Sequence, residues 1–142
     1  MEAPLKHVKN NLALNDIKKI SNLGLFYIQE KGIPTKVIKQ FEKVYRLNKK
    51  QIAFLLGVSE KTLYNLLKES VLDQERSDRF LFIIKIFEEG NETFFGPENL
   101  INWLMTPQPM LDNNVPFNLL SSITGGEAVH ALMIRVKHGI LA

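Results

Sequence analysis

The most constraining feature of this sequence is an apolar pattern of helical spacing that stops at Gly57 and resumes behind Ser59. The stretch from Leu47 to Leu67 reads LNKKQIAFLLGVSEKTLYNLL. Ala53 is a small residue that lets a second helix pack closely, and the glycine after it suits the left-handed backbone of a tight turn. Ser59 is placed to cap the second half through its hydroxyl. The stretch therefore predicts two short helices joined by a tight turn.

The two predicted helices each have an apolar and a polar side. The apolar residues that would pack them together are Ile52, Leu56, Val58, Leu63 and Leu66. The polar side of the second helix consists of Glu60, Lys61, Thr62, Tyr64, Asn65 and Lys68. In a DNA-binding helix-turn-helix, the second helix enters the major groove and the first crosses the backbone. The alternative is an ordinary helical hairpin whose lysines face solvent.

The residue types on the polar side suit a DNA duplex. Lys61 fits a guanine edge or a phosphate, Asn65 fits adenine through two hydrogen bonds, and Tyr64 fits a phosphate or a thymine methyl group. The start of the first helix offers amide donors and positive charge, which suit phosphate. The candidate DNA-binding residues are Lys49, Lys50, Gln51, Ser59, Lys61, Thr62, Tyr64, Asn65 and Lys68. Because Glu60 opposes phosphate at the tip of this side, the sequence does not predict which bases are read.

The charge of the chain is divided between its two halves. Residues 1–68 carry 13 basic and 5 acidic side chains, whereas residues 69–142 carry 5 basic and 10 acidic ones. The formal net charge of +3 hides this division. A basic half suits a polyanion and an acidic half suits a protein partner, although small proteins also divide charge unevenly by chance.

Helical spacing continues through most of the chain and predicts an all-α fold. The segment Phe80–Phe87, FLFIIKIF, also has the length of a buried strand. The polar residues SDR before it and EEGN after it favour a central helix over residues 73–89 that starts near Asp73 or Ser77.

Three further helix starts are predicted in the second half. Pro97 follows Gly96 and precedes an acidic residue, and Pro116 opens a short helix. Thr124 and Glu127 have the spacing of a capping box before the last amphipathic helix. The stretch between residues 106 and 116 contains three prolines, which exclude a continuous helix.

Composition limits the chemistry that the chain can carry. The chain contains no cysteine, which excludes disulfides and thiolate metal sites, and its three histidines are too scattered for a metal site. No apolar run approaches the roughly 18 to 20 residues of a membrane helix, and the N-terminal MEAPLKHVKNN lacks the apolar core of a secretory signal. We therefore expect a cytoplasmic, non-enzymatic protein with no metal, cofactor or membrane association.

Two long stretches together resemble a known family. The segments GIPTKVIKQFEKVYRLNKKQIAFLLGVSEKTLYNLLKES and LDQERSDRF resemble the helix-turn-helix portion of Xre/MbcA/ParS-type antitoxins. The segment FGPENLINWLMTPQPMLDNNVPFNLLSSITGGEAVHALMIRVKHGILA resembles their C-terminal toxin-binding portion. In that family a glycine, a Trp-Leu-x-x-Pro-x-Pro element, a Pro-x-x-Leu-Leu helix and a His-Gly ending with apolar residues occur in this order. They correspond here to Gly96, Trp103 to Pro109, Pro116 to Leu120, and His138 to Ala142.

The chain departs from this family pattern at two places within residues 28–142. Asn113 and Asn114 stand where members often have Gly-Arg before the Pro-x-x-Leu-Leu helix. Lys137 stands where an acidic residue is usual, and it either alters a contact with the toxin or forms a surface pair. Residues before about 28 have no clear counterpart in the family.

The resemblance implies the antitoxin of a type II toxin–antitoxin pair whose toxin is a RES-domain protein that consumes NAD. Such antitoxins block the toxin through their C-terminal region, form homodimers, and repress their own operon through the N-terminal helices. The implied parts are an extension over 1–27, an Xre-like helix-turn-helix domain over 28–92, and a toxin-binding domain over 93–142. The candidate toxin-binding residues are Pro107, Pro109, His138, Gly139, Ile140, Leu141 and Ala142.

Other interpretations of the same residues stay open. The main alternative is a stand-alone helix-turn-helix regulator whose C-terminal half dimerises or senses a ligand, and another is an interaction protein that binds no DNA. His138 either stabilises a helix end or contacts the toxin. Pro107 and Pro109 either shape a loop that wraps a partner or only end the preceding helix. Trp103 belongs either to the core or to an interface.

Overall fold

The computed structural model describes residues 13–19, 28 and 30–139, and the described residues are helical with no β-strand among them. The predicted all-α class is therefore confirmed. The helices are α1 (Leu14–Lys19), α2 (Lys36–Tyr45), α3 (Lys49–Leu56), α4 (Glu60–Leu66), α5 (Gln74–Phe94), α6 (Pro97–Leu104), α7 (Pro116–Leu119) and α8 (Ile123–Lys137), with a 3-10 turn at Pro109–Leu111. Residues 28, 30 and 31 are also helical. No helix in the described ranges is long and apolar enough to cross a membrane.

The chain divides into two compact units, Met1–Phe82 and Ile83–Ala142. The division falls inside α5, which starts in the first unit and ends in the second. The boundaries predicted after residues 27 and 92 rest on the family resemblance and remain predictions. The extension over 1–27 lies mostly outside the described residues.

The core of the first unit is built from the apolar sides of α2, α3, α4 and the first turns of α5. Its centre is a cluster of aromatic rings, in which Phe41 lies 5.4 Å from Phe80 edge-to-face and 4.6 Å from Tyr45. Leu63 of α4 is fully buried. Arg79 ties the end of α3 to α5, since its Nε donates to the Leu55 carbonyl at 2.9 Å. Burial lowers the pKa of this guanidinium.

A hydrogen-bonded clasp joins the segment before α2 to the segment before α5. The Leu72 amide donates to the Ile33 carbonyl at 2.8 Å, and the Thr35 amide donates to the Ser70 carbonyl at 3.0 Å. Ser77 is fully buried; its hydroxyl accepts from the Ile33 amide at 2.9 Å and donates to the Leu72 carbonyl at 3.3 Å. These bonds satisfy backbone groups that lie outside any helix, which is what their burial requires.

Asp73 starts α5, in agreement with one of the two predicted positions. Its Oδ1 accepts from the Arg76 amide at 2.8 Å, and its Oδ2 accepts from the Arg76 guanidinium at 2.8 Å. The backbone hydrogen bond from Arg76 is the main reason why the pKa of Asp73 lies below its usual value, an effect that partial burial opposes. Ser77 is therefore a core residue of the clasp and not a helix cap.

Helix α5 runs further than predicted. The expected end at residue 89 relied on the polar residues EEGN that follow the apolar run, but α5 continues to Phe94. Gly90 is buried, and a side-chain Cβ at this position would collide with the side chain of Leu100 on α6. The glycine therefore permits close packing of two helices instead of ending one of them.

The second unit packs α6, α7 and α8 with the end of α5, around Leu100, Leu104, Val129 and Met133. The starts predicted at Pro97 and Pro116 are confirmed. Residues 108–114 form a closed loop, in which the Gln108 amide donates to the Asn114 carbonyl at 3.1 Å.

The predicted capping box at Thr124 is wrong. Helix α8 begins at Ile123, and its cap is Ser122, whose backbone is extended and whose hydroxyl accepts from the Gly125 amide at 3.0 Å. Thr124 therefore already lies inside the first turn. Ser122, and not Thr124, is the cap because the helix begins two residues earlier than the spacing of Thr124 and Glu127 indicates.

We expect Gly32→Ala to destabilise the first unit by about 3 kcal/mol in the free energy of unfolding. Gly32 has φ +91°, and a Cβ there would collide with the Leu72 carbonyl oxygen of the clasp. Urea unfolding followed by circular dichroism measures the loss.

Gly57→Ala is the matched control for Gly32→Ala. Gly57 has φ +71°, but no atom lies within 4 Å of a Cβ built there. Its replacement adds backbone strain alone, about 1 kcal/mol. Equal losses for the two variants would show that the clasp tolerates a Cβ and that our account of Gly32 is wrong.

We expect Asp73→Ala to lower the free energy of unfolding by about 1 kcal/mol near neutral pH, through loss of the helix cap. The folded-state pKa of Asp73 is lowered from 3.8, so the ionised carboxylate stabilises the fold above that value and this stabilisation disappears as pH falls through the folded pKa. Urea unfolding at a series of pH values should therefore show the wild type and the variant converging in acid. Asp78→Ala removes an exposed carboxylate of the same helix that is not a helix cap, and it serves as the matched control near neutral pH.

Candidate nucleic-acid and partner interfaces

The helix pair α3–α4 has the local features that the sequence predicts. Three residues, Gly57–Ser59, join the helices, and Gly57 has a left-handed backbone with φ 71°. Ser59 is extended, and its hydroxyl accepts from the Thr62 amide at 3.1 Å. Ala53 is buried, as a small residue at a helix contact should be. This geometry fits both a DNA-binding unit and an ordinary helical hairpin.

The polar side of α4 is open to solvent. The exposed residues are Glu60, Lys61, Tyr64, Asn65 and Lys68. The spacing of Lys61, Tyr64 and Asn65 places these three on one side of α4, opposite the fully buried Leu63. Tyr64 is 57% exposed. Lys68 lies in the turn that follows α4. We call the accessible surface formed by these four residues the α4 face; it combines two cations, a phenol and a carboxamide.

The hydroxyls of Ser59 and Thr62 are engaged with each other. The Ser59 hydroxyl donates to Thr62 Oγ1 at 3.0 Å while it accepts from the Thr62 amide. Thr62 is only partly exposed. These two candidates therefore shape the start of α4, and the α4 face supplies the side chains that can reach a ligand.

The start of α3 is also partly occupied by internal contacts. Asn48 Oδ1 accepts from the Gln51 amide at 2.8 Å, and Gln51 Oε1 accepts from the Asn48 amide at 2.9 Å, which completes a capping box. The Lys49 ammonium donates to both carboxylate oxygens of Glu42, at 2.6 and 2.7 Å. Lys50, by contrast, is exposed. Of the three candidates at this helix start, Lys50 has the most accessible charge.

Exposed basic residues on α2 extend the positive surface of the first unit. They are Lys36, Lys39 and Lys43, followed by Arg46 at the end of the helix. Arg46 has φ 54°, and its amide caps α2 by donating to the Glu42 carbonyl. These four residues therefore display part of the positive charge of residues 1–68 on the surface of the first unit.

The candidates around the prolines lie on an exposed loop. Helix α6 ends at Leu104, and both Pro107 and Pro109 are exposed. Pro109 opens the 3-10 turn. Asp112 and Asn113 both have positive φ, 54° and 63°. Asparagine tolerates this backbone almost as well as glycine, which explains how Asn113 can stand at a family glycine position.

The end of α8 presents His138 and Gly139 to solvent. His138 is exposed, and its amide donates to the Ile134 carbonyl at 3.1 Å. Gly139 has φ 65° and ends the helix. The candidates Ile140, Leu141 and Ala142 lie outside the described residues. His138 therefore belongs to the helix end and is also accessible to a partner.

Lys137 forms a surface pair within its own unit, one of the two roles expected for it. Its ammonium lies 2.9 Å from a carboxylate oxygen of Glu92 and 3.4 Å from one of Glu89. The hydrogen bond that Lys137 donates to Glu92 is the main cause of its raised pKa; desolvation opposes this effect, and Glu89 adds to it. The other oxygen of Glu89 lies 3.7 Å from His130 Nε2. Sequence spacing could not reveal these pairs, because 48 positions separate Glu89 from Lys137.

Trp103 is partly exposed and makes an internal aromatic contact. Its ring stacks on Phe94, with 4.8 Å between ring centroids and 27° between planes. Phe95, which follows Phe94 in the chain, was not among the predicted site residues. Its side chain is nevertheless 89% exposed. Within the described ranges, no group of three or more acidic or histidine side chains is arranged to hold a metal ion.

Comparison with known proteins finds a similarity within the second unit. Residues 89–139 match the family model described as the antitoxin Xre/MbcA/ParS C-terminal toxin-binding domain. A protein of Sphingobium sp. (strain YBL2), named Prs ADP-ribosylating antitoxin, is 27% identical to this chain in an alignment 140 residues long that spans 92% of this chain and 86% of that protein. Over residues 89–139, the chain is therefore similar to the C-terminal toxin-binding domain of the Xre/MbcA/ParS antitoxins.

Proposed function

We propose that this chain is the antitoxin of a type II toxin–antitoxin pair. In this proposal it acts in the cytoplasm, binds a RES-domain toxin that consumes NAD, and blocks the toxin's active site sterically without catalysing a reaction itself. The observation that carries the proposal is the match of residues 89–139 to a toxin-binding domain. The similarity of most of the chain to a protein named as an antitoxin supports it.

The second part of the proposal is repression of the chain's own operon. The α4 face would enter the major groove, with Lys61 and Asn65 at base edges or phosphates and Lys68 at the backbone. Lys50 at the start of α3 would contact phosphate. The support is an accessible face that combines positive charge with an amide and an aromatic ring. A homodimer would place two such helices in successive grooves, so the operator should contain an inverted repeat.

The third part concerns the C-terminal end, where His138 to Ala142 would enter the toxin's cleft. The described part of this segment is accessible: His138 and Gly139 are both exposed at the end of α8. Its helix is held on the unit by buried Leu132 and Met133 and by the ion pairs of Lys137. The end of the chain is thus presented from an anchored helix.

Co-purification separates the antitoxin from the stand-alone regulator. A tagged full-length chain, expressed together with its neighbouring genes, should retain a RES-domain protein in fixed stoichiometry and suppress its NAD consumption. Retention of no such protein, with DNA binding intact, would instead establish the regulator.

We expect two substitutions on the α4 face to weaken DNA binding in different ways. Lys61→Glu should lower affinity for any duplex and reduce the slope of log affinity against log salt by about 1, because one phosphate contact is lost. Asn65→Ala should cost about 1–3 kcal/mol on the operator alone, because a base contact is lost. Fluorescence anisotropy with a promoter fragment and an unrelated duplex of equal length measures both effects.

Lys85→Glu makes the same change in net charge as Lys61→Glu, at an exposed position in the second unit, and serves as the control. Its affinity for the promoter fragment should stay near the wild-type value. If the α4 substitutions leave binding unchanged, the groove assignment is wrong. If the wild type shows no salt-dependent binding, the chain is an interaction protein without DNA binding.

We expect deletion of residues 139–142 to abolish neutralisation of the toxin, with at least about a tenfold loss of affinity. The deletion removes no buried side chain among the described residues, so the thermal midpoint of unfolding should change little. Growth rescue of cells that express the toxin measures neutralisation, and circular dichroism checks the fold. Full rescue by the shortened chain would exclude the C-terminal end as the inhibitory segment.

A further inference from the structure

Phe95 combines two properties that folding alone does not favour. It is 89% exposed, the highest value among the large apolar side chains of the described residues. Its φ is +63°, a left-handed backbone that bulky side chains rarely adopt. Asparagine or glycine would relieve the strain and remove an aromatic ring from water. Both the exposed ring and the strained backbone disfavour the folded state, which indicates that Phe95 has a role other than stabilising the fold.

The backbone around Phe95 is held rigidly on both sides. The Phe94 carbonyl accepts from Asn99 Nδ2 at 2.8 Å, and the Gly96 amide donates to the Asn91 carbonyl at 3.0 Å. The Phe94 ring stacks on Trp103. Gly96 itself has φ 129° and ψ 168°, a conformation open almost only to glycine. The Phe95 ring is therefore presented from a fixed turn, so that little conformational freedom remains to be lost on binding.

The surroundings of Phe95 favour a protein partner of different charge over a second copy of this chain. The flanking residues Glu92, Pro97, Glu98 and Asn99 are all exposed, and two of them are acidic. Residues 83–142 carry 6 acidic and 3 basic side chains, so two copies meeting at this face would oppose like charges. One aromatic ring with a polar rim is also the anatomy of an anchor residue in a hetero-complex, whereas a homodimer needs a broader apolar face.

We propose that Phe95 is an anchor residue that inserts into an apolar pocket on the toxin. The inference rests on the proposed function, since the toxin is the partner that it names. Phe95 lies within the matched residues 89–139. The helix end would block the active site, and the aromatic ring would hold the complex together.

The decisive variant is Phe95→Asn, because it separates binding from folding. Asparagine fits the left-handed backbone, so the thermal midpoint of unfolding should rise by about 2–4 °C. Affinity for the co-purified RES-domain toxin should fall about 30-fold, the usual loss for an interface anchor. Phe95→Trp keeps an aromatic ring and should retain most of the affinity. Val44→Asn, at a 41% exposed valine in the first unit, should leave toxin affinity unchanged.

The measurements are biolayer interferometry with full-length chain and co-purified toxin, thermal unfolding, and sedimentation velocity of the chain alone. Wild-type affinity in Phe95→Asn, or a lower thermal midpoint, would overturn the inference and leave the proposed function standing. A change in the oligomeric state of the free chain would overturn it in favour of a second copy. If the wild type binds no RES-domain protein, both the proposed function and the proposed contact of Phe95 with the toxin are wrong.

Discussion

The first unit depends on the buried hydroxyl of Ser77. Two segments outside the helices, residues 32–35 and 69–72, run side by side, and the bridge between Pro34 and Val71 marks their pairing. Each buried amide or carbonyl in such segments needs a partner, or its desolvation destabilises the fold. Ser77 supplies both an acceptor and a donor from the first turn of α5. This brings the end of the α3–α4 pair back to the start of α2 and gives the α4 face its fixed place in the unit.

Many polar side chains near the candidate interfaces form hydrogen bonds or ion pairs within the chain. Lys49 pairs with Glu42, and the hydroxyl of Ser59 bonds to that of Thr62. Lys137 pairs with Glu89 and Glu92. Each of these bonds is modest, because exposed polar and charged groups exchange them for contacts with water and exposed ion pairs are screened by solvent. Their effect is selective: they stabilise helix starts and ends and leave the α4 face and the end of α8 to solvent.

Local signals predicted a large part of the fold. Glycine and serine around residues 57–59, the prolines at 97 and 116, and the aspartate at 73 each act within three or four positions, so their roles can be recognised in the sequence. The exposure of the α4 face also followed from apolar spacing. The errors have a common physical cause. The polar residues 88–91 look like a helix end and Thr124 looks like a helix start, but packing of Gly90 against Leu100 and an earlier cap at Ser122 decide those positions instead.

The candidate sites were less predictable than the fold. The partners of Lys137 and the buried position of Ser77 depend on how segments distant in sequence meet, and the partner of Lys49 depends on the angle between two consecutive helices. Phe95 looked like any other apolar residue beside a helix end. Only its backbone angle and exposure distinguish it, and neither can be obtained from residue spacing.

The bidentate bond between Lys49 and Glu42 has a consequence for how a polyanion would sense this surface. A lysine that is already paired with a carboxylate neutralises a phosphate only if it gives up that pair, so it displaces few of the cations condensed on the polyanion and contributes little to the entropy of ion release. The number of phosphates that this basic surface can neutralise is therefore smaller than the number of its lysines. The dependence of binding affinity on salt concentration should therefore come mainly from basic side chains that are not paired with a carboxylate.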